Sequence, residues 1–209
     1  TAYEISTRDW SSDVCSSDLS RWLERLLPQG VKTVQLRMKD KSQGEITHEI
    51  LRAKALCAQY GATLIINDFW QSALDEGCGF VHLGQEDMEI ADIAALKRAG
   101  IRIGLSTHTP EELDKALALD PDYIALGPIW PTLLKKMSYP PQGIERIGVW
   151  KKAIGDLPLV VIGGITPERA PLVLRAGADS ACVITDILTH ADPEARTREW
   201  IAATAPFRH

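Results

Sequence analysis

Short runs of apolar, mostly β-branched residues recur along the chain, and this repetition constrains its fold more than any other feature. Most runs are followed by a stretch with helical periodicity. Strands this apolar are buried on both faces, so their alternation with amphipathic helices predicts a parallel sheet covered by helices. The predicted strands are 31–36, 63–66, 80–83, 101–105, 123–126, 159–162 and 181–184.

The predicted helices carry clear start and stop signals. Several end at a glycine just before the next strand, at Gly61, Gly100 and Gly177, where glycine accepts the left-handed conformation that closes a helix. Thr109 and Thr166 each precede a proline, a pattern typical of an N-cap and the first helical residue. The predicted helices are 21–27, 47–60, 89–99, 110–119, 167–176 and 193–203.

The spacing of the strands predicts how many units the sheet contains. A strand recurs about every 20–25 residues, apart from a longer gap after Leu126. Eight such units close into a (β/α)8 TIM barrel, an α/β fold for which this chain lies at the small end of the size range. The pattern shows seven strands, so the remaining one is expected near the amino end.

The amino-terminal segment differs from the rest of the chain. Residues 5–19 are rich in Ser and Asp, and the unit Ser-Ser-Asp occurs at 11–13 and again at 16–18. These residue types favour turns and are depleted in strands. We therefore expect residues 1–19 to be an atypical leader, non-native or disordered, with the first strand missing or replaced. Residues 20–209 are expected to form a single barrel domain.

Composition and charge bear on which binding partners the chain can have. The net charge of -5 and pI of about 5.6 argue against nucleic acid held by a basic surface, whereas a few local cations can still bind small phosphate substrates. No apolar run approaches the roughly 18 residues of a membrane span, and no signal peptide is expected. The four cysteines show no metal-ligand spacing, which favours reduced thiols and a cytoplasmic protein. A homo-oligomer is left open.

Polar residues at the end of the first clear strand indicate an anionic ligand. In a barrel of this kind the site lies at the carboxyl ends of the strands. Alternation places Gln35, Arg37 and Lys39 on one face and Leu36 and Met38 on the other. If the apolar pair packs on helices, the polar set points into the barrel mouth, where two cations are costly without an anion. The alternative is a solvated strand end with salt bridges.

Carboxylates follow the next two strands. Asn67 and Asp68 come after the run 63–66, and Asp87 comes soon after the run 80–83. Two carboxylates with phosphate oxygens and water are the usual surroundings of Mg²⁺. The commoner role of a single Asp at a strand end is a helix N-cap, which stays an alternative here.

Three further features lie at the predicted mouth. The stretch 131–143 contains two lysines and three prolines, and loops of about this length are usually functional or disordered. Gly163 and Gly164 precede a helix, where backbone N–H groups can hold phosphate, although a tight turn needs glycine too. His108 could act as a general base or serve as a turn residue.

Taken together, the motifs resemble one known family. In order they are Q-L-R-x-K at 35–39, N-D at 67–68, H-L-G-Q-E-D at 82–87, S-T-H at 106–108, G-P-x-W-P-T-x-x-K-K at 127–136 and G-G-I at 163–165. This order is similar to thiamine-phosphate synthases over about residues 20–204. The resemblance implies a transferase of thiamine biosynthesis that uses Mg²⁺. It would join 4-amino-2-methyl-5-hydroxymethylpyrimidine diphosphate to 4-methyl-5-(2-phosphoethyl)thiazole, releasing diphosphate.

The resemblance also implies a role for each matching residue. Asp68 and Asp87 resemble the magnesium ligands, and Ser106 and Lys135 resemble the catalytic residues. The implied pyrimidine diphosphate site consists of Gln35, Leu36, Arg37, Met38, Lys39, Asn67, Ser106 and Lys135. The implied thiazole phosphate site consists of Thr132, Leu133, Leu134, Gly164, Ile184 and Thr185.

Two departures from the family pattern bear on function. Where the loop usually reads T-x-T-K, Leu134 removes a hydroxyl expected to meet phosphate, while Thr185 replaces a usual Ser and keeps its hydroxyl. The nearest alternative is a thiazole tautomerase of the related fold with His108 as its base, which has no need of two metal carboxylates. An inactive phosphate-binding homologue is the other alternative.

Overall fold

The computed structural model describes residues 3–6, 18–131 and 139–207. Within these ranges, eight parallel strands form one sheet in sequence order, and β1 also lies beside β8, so the sheet curls into a barrel. The predicted (β/α)8 barrel is confirmed. The strands are β1 (Tyr3–Ser6), β2 (Thr33–Arg37), β3 (Thr63–Asn67), β4 (Phe80–Leu83), β5 (Arg102–Thr107), β6 (Tyr123–Leu126), β7 (Leu159–Ile162) and β8 (Ser180–Cys182).

Helices cover the outside of the sheet. Their starts follow the capping chemistry of the sequence: Ser42 and Glu45 form a reciprocal capping box, and Thr109 accepts a hydrogen bond from the N–H of Glu112. The helices are α1 (Asp18–Leu26), α2 (Gln43–Gln59), α3 (Trp70–Asp75), α4 (Gln85–Ile90), α5 (Ile93–Arg98), α6 (Pro110–Leu117), α7 (Glu145–Ile154), α8 (Ala170–Arg175), α9 (Thr185–Leu188) and α10 (Pro193–Thr204).

Some predicted boundaries are wrong. The single helix predicted over 89–99 is two helices, because the chain is extended at Ala91 and the side chain of Asp92 starts α5. The last strand ends at Cys182, and Ile184 precedes α9. Helices α3, α7 and α9 are not among the predicted helices, and α9 has only 4 residues.

The expectation that the first strand is missing is corrected by β1. Tyr3 to Ser6 pair in parallel with Val34 to Arg37 of β2, so the first position of the barrel is filled. A strand of 4 residues is too short to show a buried apolar run, and its place is set by the edge of β2. Only its last two residues fall within the Ser- and Asp-rich stretch. Residues 7–17 lie outside the described residues, so the origin and stability of that segment remain predictions.

The apolar core has two layers. The larger lies between the strands and the helices and includes Leu36 and Met38, which are 0% and 2% exposed. A smaller cluster fills the barrel interior, where Gln35 stands in register with Ile65. The alternation predicted for β2 is therefore present. The interior cluster consists of Ile65, Phe80, Tyr123 and Ala125, with Val160 packed against it.

The three described cysteines are all buried. Cys57 and Cys78 are free thiols, and burial raises the pKa of the Cys57 thiol to about 11. Cys15 lies outside the described residues. In the part of the chain that the structure describes, no helix combines the length and apolar character needed to cross a membrane.

Candidate active site

The carboxyl ends of β2, β3 and β4 meet at the barrel mouth and bring the predicted polar residues together. Asp68 follows β3 with a φ of 67°, and its N–H donates to the carbonyl of His82 at 2.9 Å. Asp87 lies in the first turn of α4, which begins directly after β4. The Asp87 carboxylate and the Arg37 guanidinium both lie close enough for their charges to act on Asp68.

The electrostatics of this pair favour a cation. Burial and the negative charge of Asp87 raise the pKa of Asp68 to about 6, while the charge of Arg37 opposes the rise. Among the described residues, no group of three or more metal-ligating side chains occurs. Two carboxylates are nonetheless what Mg²⁺ commonly takes from a protein when substrate phosphates complete its shell. The pair therefore fits a magnesium ion held jointly with a phosphate ligand.

The remaining residues predicted to bind the pyrimidine diphosphate differ in the groups that they present to a ligand. Asn67 is buried at the end of β3, and its Nδ2 lies near the Asp68 carboxylate without a hydrogen bond of good geometry to any described residue. A buried donor of this kind is normally satisfied, so Asn67 suits a ligand. The side chains of Leu36 and Met38 lie in the outer core and can reach a ligand only through backbone groups. Lys39 is half-buried just after β2.

Ser106, in β5, is held from two sides. His82 Nε2 lies 2.8 Å from Ser106 Oγ, and Gln85 Nε2 donates to the Ser106 carbonyl at 2.6 Å. His82 in turn meets Tyr123, with 2.6 Å between His82 Nδ1 and Tyr123 Oη. Burial, helped by the charge of Arg37, lowers the pKa of His82 to about 4, so its ring is neutral.

Sequence reasoning assigned no role to His82, Gln85 or Tyr123. The signal for His82 and Gln85 was their place in the motif 82–87, but a histidine inside a strand usually indicates core packing. Tyr123 gives no signal, because its contact depends on Gly104 of the neighbouring strand. A Cβ on Gly104 would lie 2.0 Å from the Tyr123 ring. Glycine at this position is thus required for the tyrosine to lie across the barrel interior.

The turns after β6 and β7 are packed against each other. The N–H of Trp130 donates to the carbonyl of Gly163 at 3.0 Å. Gly164 has a φ of +64°, and a Cβ there would lie 2.7 Å from Cβ of Trp130. Any larger residue would push the two turns apart, so Gly164 is needed for this close approach. Arg169 then donates to the Gly164 carbonyl at 2.7 Å.

Ile184 and Thr185 stand at the start of α9, beside a tight ion pair. The Arg196 guanidinium makes two bonds to Asp186, at 2.8 and 2.9 Å. Trp200 Nε1 also donates to Asp186, at 2.7 Å. These contacts tie the first turn of α9 to α10 and so fix where Thr185 stands.

A cluster around Glu112 of α6 holds the side chain of Tyr139. The ring of His108 stacks on Tyr139 with 4.3 Å between centroids, and both residues bond the Glu112 carboxylate, at 2.9 and 2.7 Å. His108 therefore belongs to a structural cluster. The predicted residues Thr132, Leu133, Leu134 and Lys135 fall in 132–138, outside the described residues.

These features define a class of protein. A (β/α)8 barrel with paired carboxylates, cations and glycine-rich turns at its mouth is an enzyme fold suited to phosphate-bearing substrates. A family profile described as thiamine monophosphate synthase matches residues 3–187. The chain belongs to this family.

Individual relatives agree over nearly the whole chain. A thiamine-phosphate synthase of Rhizobium etli is 61% identical over 191 residues, covering 91% of this chain and 94% of that protein. A thiamine-phosphate synthase of an Enterobacter species is 46% identical over 184 residues, covering 88% and 84%. A thiamine phosphate pyrophosphorylase structure from Pyrococcus furiosus superposes with a TM-score of 0.83 at 25% identity, covering 100% and 96%.

Proposed function

We propose that this chain is a transferase that makes thiamine phosphate. It joins 4-amino-2-methyl-5-hydroxymethylpyrimidine diphosphate to 4-methyl-5-(2-phosphoethyl)thiazole and releases diphosphate. Membership of the family and the high identity to thiamine-phosphate synthases support this activity. The structural observation that carries it is the meeting of Arg37, Asp68 and Asp87 at one end of the barrel, because this combination suits a metal-bound diphosphate.

The reaction needs no protein nucleophile. The bond between the pyrimidine methylene carbon and the diphosphate oxygen breaks, and its electron pair leaves with the oxygen. The thiazole nitrogen then donates its lone pair to that carbon, forming the new C–N bond. The aminopyrimidine ring carries positive charge between the two events. The protein's task is to bind the leaving group, hold both rings in line and exclude water.

Arg37, Lys39 and Asn67 are proposed to hold the diphosphate, with Lys135 reaching it from the loop after β6. Each cation offsets charge that grows on the leaving oxygens, and the buried Nδ2 of Asn67 supplies a donor. Asp68 and Asp87 would hold Mg²⁺, which when bound neutralises part of the diphosphate charge. Ser106 is proposed to contact the pyrimidine ring.

The thiazole phosphate is proposed to bind on the opposite side of the mouth. Gly164 and Thr185 stand at the turns after β7 and β8, where phosphate groups often bind in barrels. Ile184 would pack on the thiazole ring, and Thr132, Leu133 and Leu134 are proposed to bind the phosphate. The free, buried thiols among the described cysteines support a cytoplasmic setting.

The experiment is a direct assay for thiamine phosphate with both substrates and Mg²⁺, alongside Lys39→Gln and a matched exposed control, Lys115→Gln. We expect product from the unmodified protein and from the control. Lys39→Gln should weaken binding of pyrimidine diphosphate far more than binding of thiazole phosphate. A thiazole tautomerase would act without the pyrimidine substrate and without metal, and an inactive homologue would bind phosphate but form no product. Either result would overturn the proposal.

A further inference from the structure

Two aromatic residues inside the barrel, His82 and Tyr123, form a hydrogen-bonded chain that ends at Ser106. The proposed function assigns no role to either of them. His82 is buried in β4, with Tyr123 Oη 2.6 Å from its Nδ1 and Ser106 Oγ 2.8 Å from its Nε2. The His82 and Tyr123 rings also stack, with an interplanar angle of 16°. The three side chains form a continuous hydrogen-bonded chain from the barrel interior to the mouth.

The surroundings of His82 limit how this chain can be arranged. The ring is buried and both of its nitrogens meet hydroxyl groups, so a neutral imidazole fits the site. A neutral imidazole has one N–H that donates and one bare nitrogen that accepts. If Nε2 carries the proton, the ring donates to Ser106, and the serine proton is directed at the substrate. If Nδ1 carries it, the ring donates to Tyr123 and accepts from Ser106, so the serine lone pairs are directed at the substrate.

We propose that His82 and Tyr123 are positioning residues that make the Ser106 hydroxyl a hydrogen-bond acceptor for the amino group of the aminopyrimidine. This inference rests on the proposed function and adds to it. Nδ1–H donates to Tyr123 Oη, and the Ser106 O–H donates to Nε2. Serine then has lone pairs available to an N–H of the substrate.

The chemistry of the reaction selects this arrangement. When diphosphate leaves, positive charge spreads from the methylene carbon through the ring to the exocyclic amino group. An acceptor placed at that amino group becomes a stronger partner as the charge develops, which is the condition for lowering the barrier. A hydroxyl proton pointed at the ring would oppose the same charge.

The surroundings hold the chain in place. Gln85 Nε2 donates to the Ser106 carbonyl at 2.6 Å, which fixes the serine backbone. Gly104 leaves room for the Tyr123 ring, since a Cβ there would lie 2.0 Å from it. Each member of the chain is thus oriented by a neighbouring strand or turn and is already in place before substrate binds.

The first test reads the tautomer by ¹⁵N NMR of histidine-labelled protein without ligand. We expect the proton of His82 on Nδ1 in the unmodified protein. Tyr123→Phe keeps the aromatic ring but removes the acceptor, so the proton should move to Nε2. Tyr60→Phe, at the end of α2, is the matched control and should leave His82 unchanged. A proton on Nε2 in the unmodified protein would overturn the inference.

The second test uses single-turnover release of diphosphate in a double-mutant cycle. Tyr123→Phe should slow release about tenfold, the loss expected when one hydrogen bond is reversed, with the KM for thiazole phosphate unchanged. In a Ser106→Ala background the same change should have no further effect, because the residue it orients is gone. Equal slowing in both backgrounds would mean that Tyr123 acts only through general packing.

The two tests separate failure of this inference from failure of the proposed function. The NMR measurement needs no turnover and decides the hydrogen-bond arrangement on its own. If the unmodified protein forms no thiamine phosphate, the proposed function fails, and the proposed role of Ser106 toward the pyrimidine fails with it. If product forms but the tautomer is Nε2–H, only the inference fails. His82→Asn provides a second variant, expected to slow diphosphate release to a similar degree as Tyr123→Phe.

Discussion

The side chains of Asp68 and Asp87 lie close together at the carboxyl end of the barrel, near enough for the charge of Asp87 to raise the pKa of Asp68. They come from different βα units and meet because β3 and β4 are neighbours in the sheet. Two carboxylates in contact repel when both are ionised. The protein therefore holds an unfavourable pair that a bound cation would relieve.

We predict that Asp68→Asn stabilises the protein when metal is removed with EDTA. The pKa of Asp68 is raised from 3.8 to about 6 in the folded protein. The folded state thus binds this proton more tightly than the unfolded state, and the stability that the proton provides is lost as pH rises through about 6. The gain should be about 1–2 kcal/mol near neutral pH and smaller near pH 5, after allowance for partial exposure.

Urea unfolding at the two pH values measures this effect. Asparagine tolerates the positive φ at this position, so the substitution should not strain the backbone. Asp114→Asn, on the exposed face of α6, is the control and should change stability little at either pH. Destabilisation by Asp68→Asn at neutral pH would show that the pair is not repulsive.

We predict that Tyr139→Phe weakens binding of both substrates. Tyr139 donates to Glu112 at 2.7 Å and anchors the chain directly after residues 132–138. Loss of this bond should raise both KM values several-fold, in line with about 1 kcal/mol for one hydrogen bond, because Thr132 and Lys135, which are proposed to bind the substrates, come shortly before Tyr139 in the chain. Steady-state kinetics would check this. Unchanged KM values would show that the stretch is held by other contacts.

We predict that Leu134→Thr lowers the KM for thiazole phosphate. A hydroxyl restored to the loop can donate to the phosphate, and a hydrogen bond to a charged group contributes roughly 1.5–3 kcal/mol. Leu133→Thr is the matched control, since the family pattern shows no preference there, and it should bring no gain. If Leu134→Thr raises the KM, the loop follows another register.

We predict that Arg196→Gln impairs thiazole phosphate binding selectively. The variant removes the two-bond partner of Asp186 and leaves a half-buried carboxylate beside Trp200, so the start of α9 should shift and displace Thr185. We expect a several-fold rise in the KM for thiazole phosphate with little change for pyrimidine diphosphate. Arg198→Gln, which removes an exposed hydrogen bond to Gln29, is the control. A parallel rise in both KM values would indicate general loosening of the barrel.

Much of the fold could be predicted from local patterns. Apolar runs and glycine stops located seven of the strands within a few residues, because a strand buried on both faces consists almost entirely of apolar residues. The first strand was missed. Tyr3–Ser6 has no long apolar run. Its pairing depends on the edge of β2, and this edge cannot be recognised from the sequence of the segment alone.

Local patterns in the sequence were enough to predict the barrel, the family and the residues at the strand ends, because period-2 alternation and parallel order dictate which side chains reach the mouth. How those residues act on one another depends on the folded barrel. The contact of Asp68 with Asp87 and the chain from Tyr123 through His82 to Ser106 join residues from different units. Such contacts depend on how neighbouring strands are staggered and on the space left by Gly104, and those are properties of the closed sheet.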